Sequence, residues 1–175
     1  MTPKIKQKIY EYIYTQLPSD FNNKVYWAYE RKDEPDKPFC LLTDIVPEQN
    51  DLRTSEREIQ NNVNEVTYYK NCVVTVSVFV DGLSDEDLDV KRSFAENTVV
   101  SLRNNIDTLD ASYEFNAFGI SINSMSSVRN LTTSTSGGYN FRYEFDITFG
   151  YNEVVEIHKL VGKDVNLQIE RIEND

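Results

Sequence analysis

Few residues of this 175-residue sequence have the type and spacing that chemistry requires. His158 is its single histidine, the side chain that most readily moves a proton near neutral pH, and no serine or cysteine nucleophile motif stands near it. It reads as a surface or packing residue beside a turn at Gly162. Glu144 and Asp146 lie two apart in an alternating stretch, so both point to one face of a strand, a geometry a hydrolase could use. Solvation of that face, or an ion pair with Arg142, explains the same pair without catalysis. Asp81, Asp85, Asp87 and Asp89 superficially suggest a metal loop, but the run lacks the later glutamate and the ligand spacing of a calcium-binding hand; helix capping accounts for it better. Gly137-Gly138 follows Thr132 to Ser136 without the lysine or flanking glycine of a phosphate loop. Cys40 and Cys72 form no CxxC pair, and Cys72 sits in the apolar run Cys72-Val73-Val74, so two unpaired buried thiols in a reducing cytosol are expected. No catalytic, cofactor or metal site emerges, and the sequence predicts a protein that is not an enzyme and works by binding other proteins.

Composition narrows the class. The length suits one domain over 1–175, and a hydrophobic fraction of 39% with 12% aromatic residues suits a folded chain. Eighteen Lys and Arg against 29 Asp and Glu give a formal charge of -11, which disfavours nonspecific counterion-release binding to a phosphate backbone. Lys4, Lys6 and Lys8 interrupt the apolar residues of the amino terminus, so neither a signal peptide nor a membrane span is expected there.

The elements that must hold these residues follow from periodicity. Ile5, Ile9, Tyr12, Ile13 and Leu17 recur at helical spacing after Thr2 and Pro3, which suit a cap and first turn. Val25, Trp27 and Tyr29 alternate as a strand, 31–38 reads as a charged turn, and Pro38 to Val46 reads as a strand buried on both faces. Glu48 to Glu65 is polar throughout, an exposed loop or the tip of a long hairpin. Val66 to Val80 is the strongest β-branched run, predicted as the central strand and ended by Asp81-Gly82. Ser84 is the expected N-cap of a second helix whose buried face is Val90, Phe94, Ala95, Val99, Leu102 and Ile106. Phe118, Ile120 and Ile122 predict a strand, Thr132 to Gly138 a flexible loop, and Tyr139 to Tyr151 a strand alternating strictly between an aromatic face and a polar one. Val154, Val155 and Ile157 are expected past a bend, and Val165, Leu167 and Ile169 in a last short strand. The fold class is α+β: a mixed, mostly antiparallel sheet packed against two main helices, with a long hairpin or loop extension.

This order, with Lys37-Pro38-Phe39-Cys40-Leu41-Leu42, Val73 to Gly82 before a helix, Ser127-Val128-Arg129-Asn130-Leu131 at the mouth of a loop, and Tyr139 to Phe149 bearing Arg142 and Asp146, resembles the neck and tail terminator proteins of tailed bacteriophages. The resemblance implies a structural virion protein assembled in the host cytoplasm as a ring of six copies, capping the tail tube and joining it to the head. Its implied partners are further copies of itself, the tail tube protein and a head-completion or connector protein, with DNA passing through an acidic lumen without specific binding. Long hairpins would reach neighbours, which places subunit contacts on 51–65, with Arg53, Arg57 and Glu58, on Arg129, and on the polar face of Tyr139 to Phe149, with Arg142, Glu144 and Asp146. The alternatives are a head-to-tail adaptor or connector, and a small metal-dependent hydrolase built on Glu144, Asp146 and the acidic helix start.

Overall fold

A computed structural model describes residues 1–30, 33–45, 52–60, 63–83, 87–158 and 169–171, with backbone alone at 52, 58–60, 83, 158 and 169–171. The first helix, α1 (Pro3–Gln16), starts where expected: the Thr2 hydroxyl accepts from the Ile5 N–H at 3.4 Å, and Pro3 occupies the first turn, where its missing N–H costs nothing. Ile9, Tyr12 and Ile13 form its buried stripe. Among the described residues nine strands form one sheet: β1 (Val25–Trp27), β2 (Phe39–Ile45), β3 (Leu52–Gln60), β4 (Val63–Leu83), β5 (Ile120–Met125), β6 (Arg129–Asn130), β7 (Thr133–Thr135), β8 (Gly138–His158) and β9 (Ile169–Arg171). The order is β1-β2-β4-β8-β5, with β3 also on β4 and β6, β7 and β9 also on β8. β1 runs parallel to β2, and every other pair is antiparallel.

The fold is α+β, as the periodicity predicts, and its spine is the β4/β8 ribbon. These strands pair continuously from Val63 opposite His158 to Leu83 opposite Gly138, on the order of 65 Å of ladder. The two-residue side-chain period sends Cys72, Val74, Val76, Val78 and Val80 to the same face as Phe141, Tyr143, Phe145, Ile147, Phe149 and Tyr151, all of them buried in one core. Helix α2 (Leu88–Ile106) packs on both strands through Ala95, Val99, Leu102 and Ile106. The cysteines are free and buried in this core.

Several expectations are corrected. Tyr29 is not in a strand: Ala28–Glu30 turns out of β1 as a short 3-10 helix and leaves Tyr29 exposed. β2 is buried on both faces only toward its start, at Phe39, Cys40 and Leu42, and Ile45 is exposed. Asp81-Gly82 does not end β4, because Asn140 and Tyr139 of β8 pair with it. Asp87, not Ser84, caps α2, its carboxylate accepting from the Asp89 and Val90 N–H groups at 3.1 and 3.2 Å; position 84 lies outside the described residues. Val90, in that first turn, is exposed.

The sequence reading also runs from α2 directly into a strand, whereas α3 (Leu109–Asn116) intervenes, capped by Thr108 and burying Ala111 and Phe115. Phe118 belongs to the turn that follows and is exposed. The Thr132 to Gly138 segment is a tight hairpin between β7 and β8. β8 continues through Val154, Val155 and Ile157 without a break in register. The 162 turn and positions 165 and 167 lie outside the described residues, and Ile169 opens β9. The polar 48–65 segment, within its described part, is a hairpin: β3 folds back on the first half of β4. Beyond β2, the sheet thus extends as an arm of β3, β4, β8 and β9. Among the described residues no helix is long and apolar enough to cross a membrane.

Candidate functional site

The helices cover one face of the β4/β8 ribbon, and the alternation that fills that core puts polar residues on the other. Thr75, Ser77 and Phe79 of β4 stand directly opposite Asp146, Glu144 and Arg142 of β8, and β6 sets Arg129 opposite Glu144 on the far side. Four of the seven residues singled out in the sequence therefore meet. Arg129 grips both oxygens of Asp146, Nη1 to Oδ2 at 2.7 Å and Nη2 to Oδ1 at 3.0 Å, and its Nη2 also donates to Glu144 Oε1 at 2.9 Å. Glu144 Oε2 accepts from Arg142 Nη2 at 2.7 Å and from Ser77 Oγ at 2.9 Å. Thr75 Oγ1 donates to Asp146 Oδ1 at 2.7 Å. The Arg142 guanidinium lies 5.1 Å from the Phe79 ring centroid, and Phe79 stacks on Phe39 at 4.5 Å.

Each carboxylate is held ionised. Burial of Glu144, whose side chain is 8% exposed, works to raise its pKa; the hydrogen bonds from Arg129 and Ser77 and the charge of Arg142 outweigh it, and the net shift is downward. For Asp146 the Arg129 hydrogen bonds are the largest influence, partly opposed by burial and reinforced by Thr75, again downward. Arg129 is raised by its bonds to Asp146 and Glu144. A general acid or base needs a pKa near its working pH, and a metal ligand needs free lone pairs. Glu144 and Asp146 are both shifted downward, and arginines and hydroxyls occupy three of the roughly four acceptor sites on each. Among the described residues no group of three or more His, Cys, Asp or Glu is placed to hold a metal ion.

The cluster instead fastens one segment onto the sheet. Ser126 N–H donates to the Asp146 carbonyl at 2.9 Å, the Asp146 N–H donates to Ser126 Oγ at 2.9 Å, and Arg103 of α2 reaches the Ser126 carbonyl through Nε at 2.9 Å. Arg129, three residues on, is the clasp. Sequence reasoning missed Thr75, Ser77 and Ser126. The two on β4 carry a legible signal, for they are the polar residues at alternate positions in the run Val73 to Val80.

Arg53, Arg57 and Glu58 lie apart, on β3 of the arm. Arg57 Nη2 pairs with Glu65 across the hairpin at 3.0 Å, and Arg53 pairs with Glu56. The Glu58 backbone stands opposite Asn64; its side chain is outside the described part of the structure.

The chain thus combines a broad antiparallel ribbon with a helical layer on one face, carboxylates paired with arginines on the other, and a projecting arm. The model of the phage neck terminator protein family matches residues 5–175, and the chain belongs to that family. No curated protein matches it. Its role is accordingly structural, in the tail and neck apparatus of a phage virion.

Proposed function

We propose that copies of this chain, each acting as a single domain, close into a ring of six that ends the tail tube and joins it to the head. The observation that carries this reading is the family match across 5–175. The arm supports it, because the ribbon continues past β2 as a polar projection with exposed arginines, suited to reach a neighbouring copy. The proposed axial partners are the tail tube protein on one side and a head-completion or connector protein on the other. The charge of -11 suits a lumen along which DNA slides without specific binding, because like charge raises the cost of close phosphate approach.

The internal pairing of Arg129, Glu144 and Asp146 narrows the expected contact surface. Their polar atoms already serve one another, so the arm, with Arg53 and Arg57, carries the subunit contact in this reading. Negative-stain electron microscopy over a concentration series, with light-scattering mass, tests it: closed rings of about six are expected. A monomer at every concentration, also in the presence of a purified tail tube, would overturn the ring and favour a head-to-tail adaptor.

A further inference from the structure

Between α1 and β1 lies a cleft of about 620 Å³ lined by Lys6, Tyr10, Tyr26, Trp27, Tyr29 and Glu30, among others. The cleft already holds one cation. The Lys6 ammonium sits 4.3 Å from the Tyr29 ring centroid and 5.5 Å from that of Trp27, with Asp44 at 2.8 Å balancing its charge. Tyr29 stacks on Trp27 at 6.1 Å and, at 58% exposure, leaves ring surface to solvent. Glu30 follows it, exposed, with Oε2 accepting from the Trp27 N–H at 3.3 Å. Aromatic faces beside a carboxylate attract a guanidinium, whose plane stacks on a ring while its edge bonds the acid.

The chain carries such groups on its arm. Arg57 is 72% exposed and Arg53 51%, and their surface pairs with Glu65 and Glu56 are of the kind that contributes little and exchanges readily. A copy's own arm does not reach its own cleft. Trp27 stands level with Leu42 and hence Val76 of β4, whereas Arg57 stands level with Glu65. Those eleven residues of strand span roughly 36 Å.

We propose that the cleft seats Arg57 from the arm of a second copy, with Arg53 alongside. Arm and cleft are different surfaces, so the contact is head-to-tail, the kind that closes into a ring. The inference deepens the ring reading and rests on it for the identity of the partner.

Charge reversal tests the pairing. Glu30→Arg and Arg57→Glu each raise the protein concentration needed for assembly about tenfold or more, and the double reversal restores it to within about threefold. Unchanged thermal melting in each variant shows that the fold is intact. Single reversals that assemble like the parent, or a double reversal no better than the singles, overturn the pairing and leave the ring standing.

A second measurement serves if the parent protein forms no ring. A peptide of residues 52–60 is titrated into the full chain while the fluorescence of Trp27, the single tryptophan, is followed. A saturable change that Glu30→Arg abolishes supports the cleft pairing even though the ring reading has failed. No change up to millimolar peptide overturns the pairing as well.

Discussion

Replacing Arg129 by alanine tests the clasp. The substitution removes three charge-assisted hydrogen bonds and leaves Glu144 with Arg142 and Ser77, and Asp146 with Thr75. Breaking a fully buried ion pair costs about 3–5 kcal/mol, and an exposed pair about 0–1 kcal/mol. Arg129 is 40% exposed and Asp146 28%, while Glu144 is nearly buried but keeps two partners, so the loss at pH 7 is about 2 kcal/mol. For a chain of this size that lowers Tm by roughly 4–8 °C. Urea unfolding at pH 7 and at acid pH is the assay. Both carboxylates have native pKa values below the ordinary 4.5 and 3.8, so their stabilisation is complete above those values and fades as pH falls through the lowered native ones. The gap between Arg129→Ala and the parent therefore narrows below about pH 4. Arg129→Lys, which keeps the charge but not the two-pronged grip on Asp146, recovers only part of the loss. A loss under about 0.5 kcal/mol at pH 7, or a gap unchanged at acid pH, refutes the clasp.

Further substitutions probe the elements that hold the site. Phe115→Ala removes a ring packed 4.9 Å from Tyr12 and 5.3 Å from Phe149, and calorimetry is expected to read a loss of about 3–5 kcal/mol. Thr108→Ala deletes the α3 cap bond to the Ala111 N–H at 3.2 Å and costs about 1 kcal/mol in denaturant unfolding. Gly150→Ala drives a methyl group into the Tyr69 hydroxyl, held at 2.8 Å by Asn123, and costs about 1–3 kcal/mol, less than additively with Tyr69→Ala. Burial pushes the Cys40 thiol up to about 12 and the Cys72 thiol up to about 11, so neither reacts with a thiol reagent at pH 8 until the protein unfolds.

The parts of the fold legible in the sequence are those where one face is apolar and the other is not. Tyr139 to Tyr151 could be read because its apolar side fills the core from Phe141 onward, Tyr139 itself being exposed, and a one-residue slip would bury Arg142, Glu144 and Asp146 there. α1 was legible through both its stripe and its cap. α3 was not: eight residues with two buried positions make too little periodicity, and its cap, Thr108, follows the last turn of α2 so closely that the two helices blur. Asp81-Gly82 reads locally as a turn, yet the Phe141 ring lies over Gly82, where a side chain would collide, so the glycine serves close packing inside the strand. At the site, the sequence offered the four charges but not their grouping, which depends on β6 crossing to β8 and on register between strands about seventy residues apart.

That register bears on how copies associate. Two arginines and two carboxylates on the face opposite the helices sum to no net charge and pair with one another, so this face attracts a neighbour weakly. Copies that each carry a formal charge of -11 repel as they approach, and the proposed ring would need a place where a cation of one meets acceptors of the next. Among the described arginines Arg57 is the most exposed, and it stands on a projection that cannot fold back to the cleft of its own copy. In the proposed ring, a head-to-tail contact through the arm would offset the repulsion locally and leave the remaining acids to repel DNA in the lumen. Under that proposal the two demands on the charge, mutual adhesion and no grip on the genome, would fall to different residues.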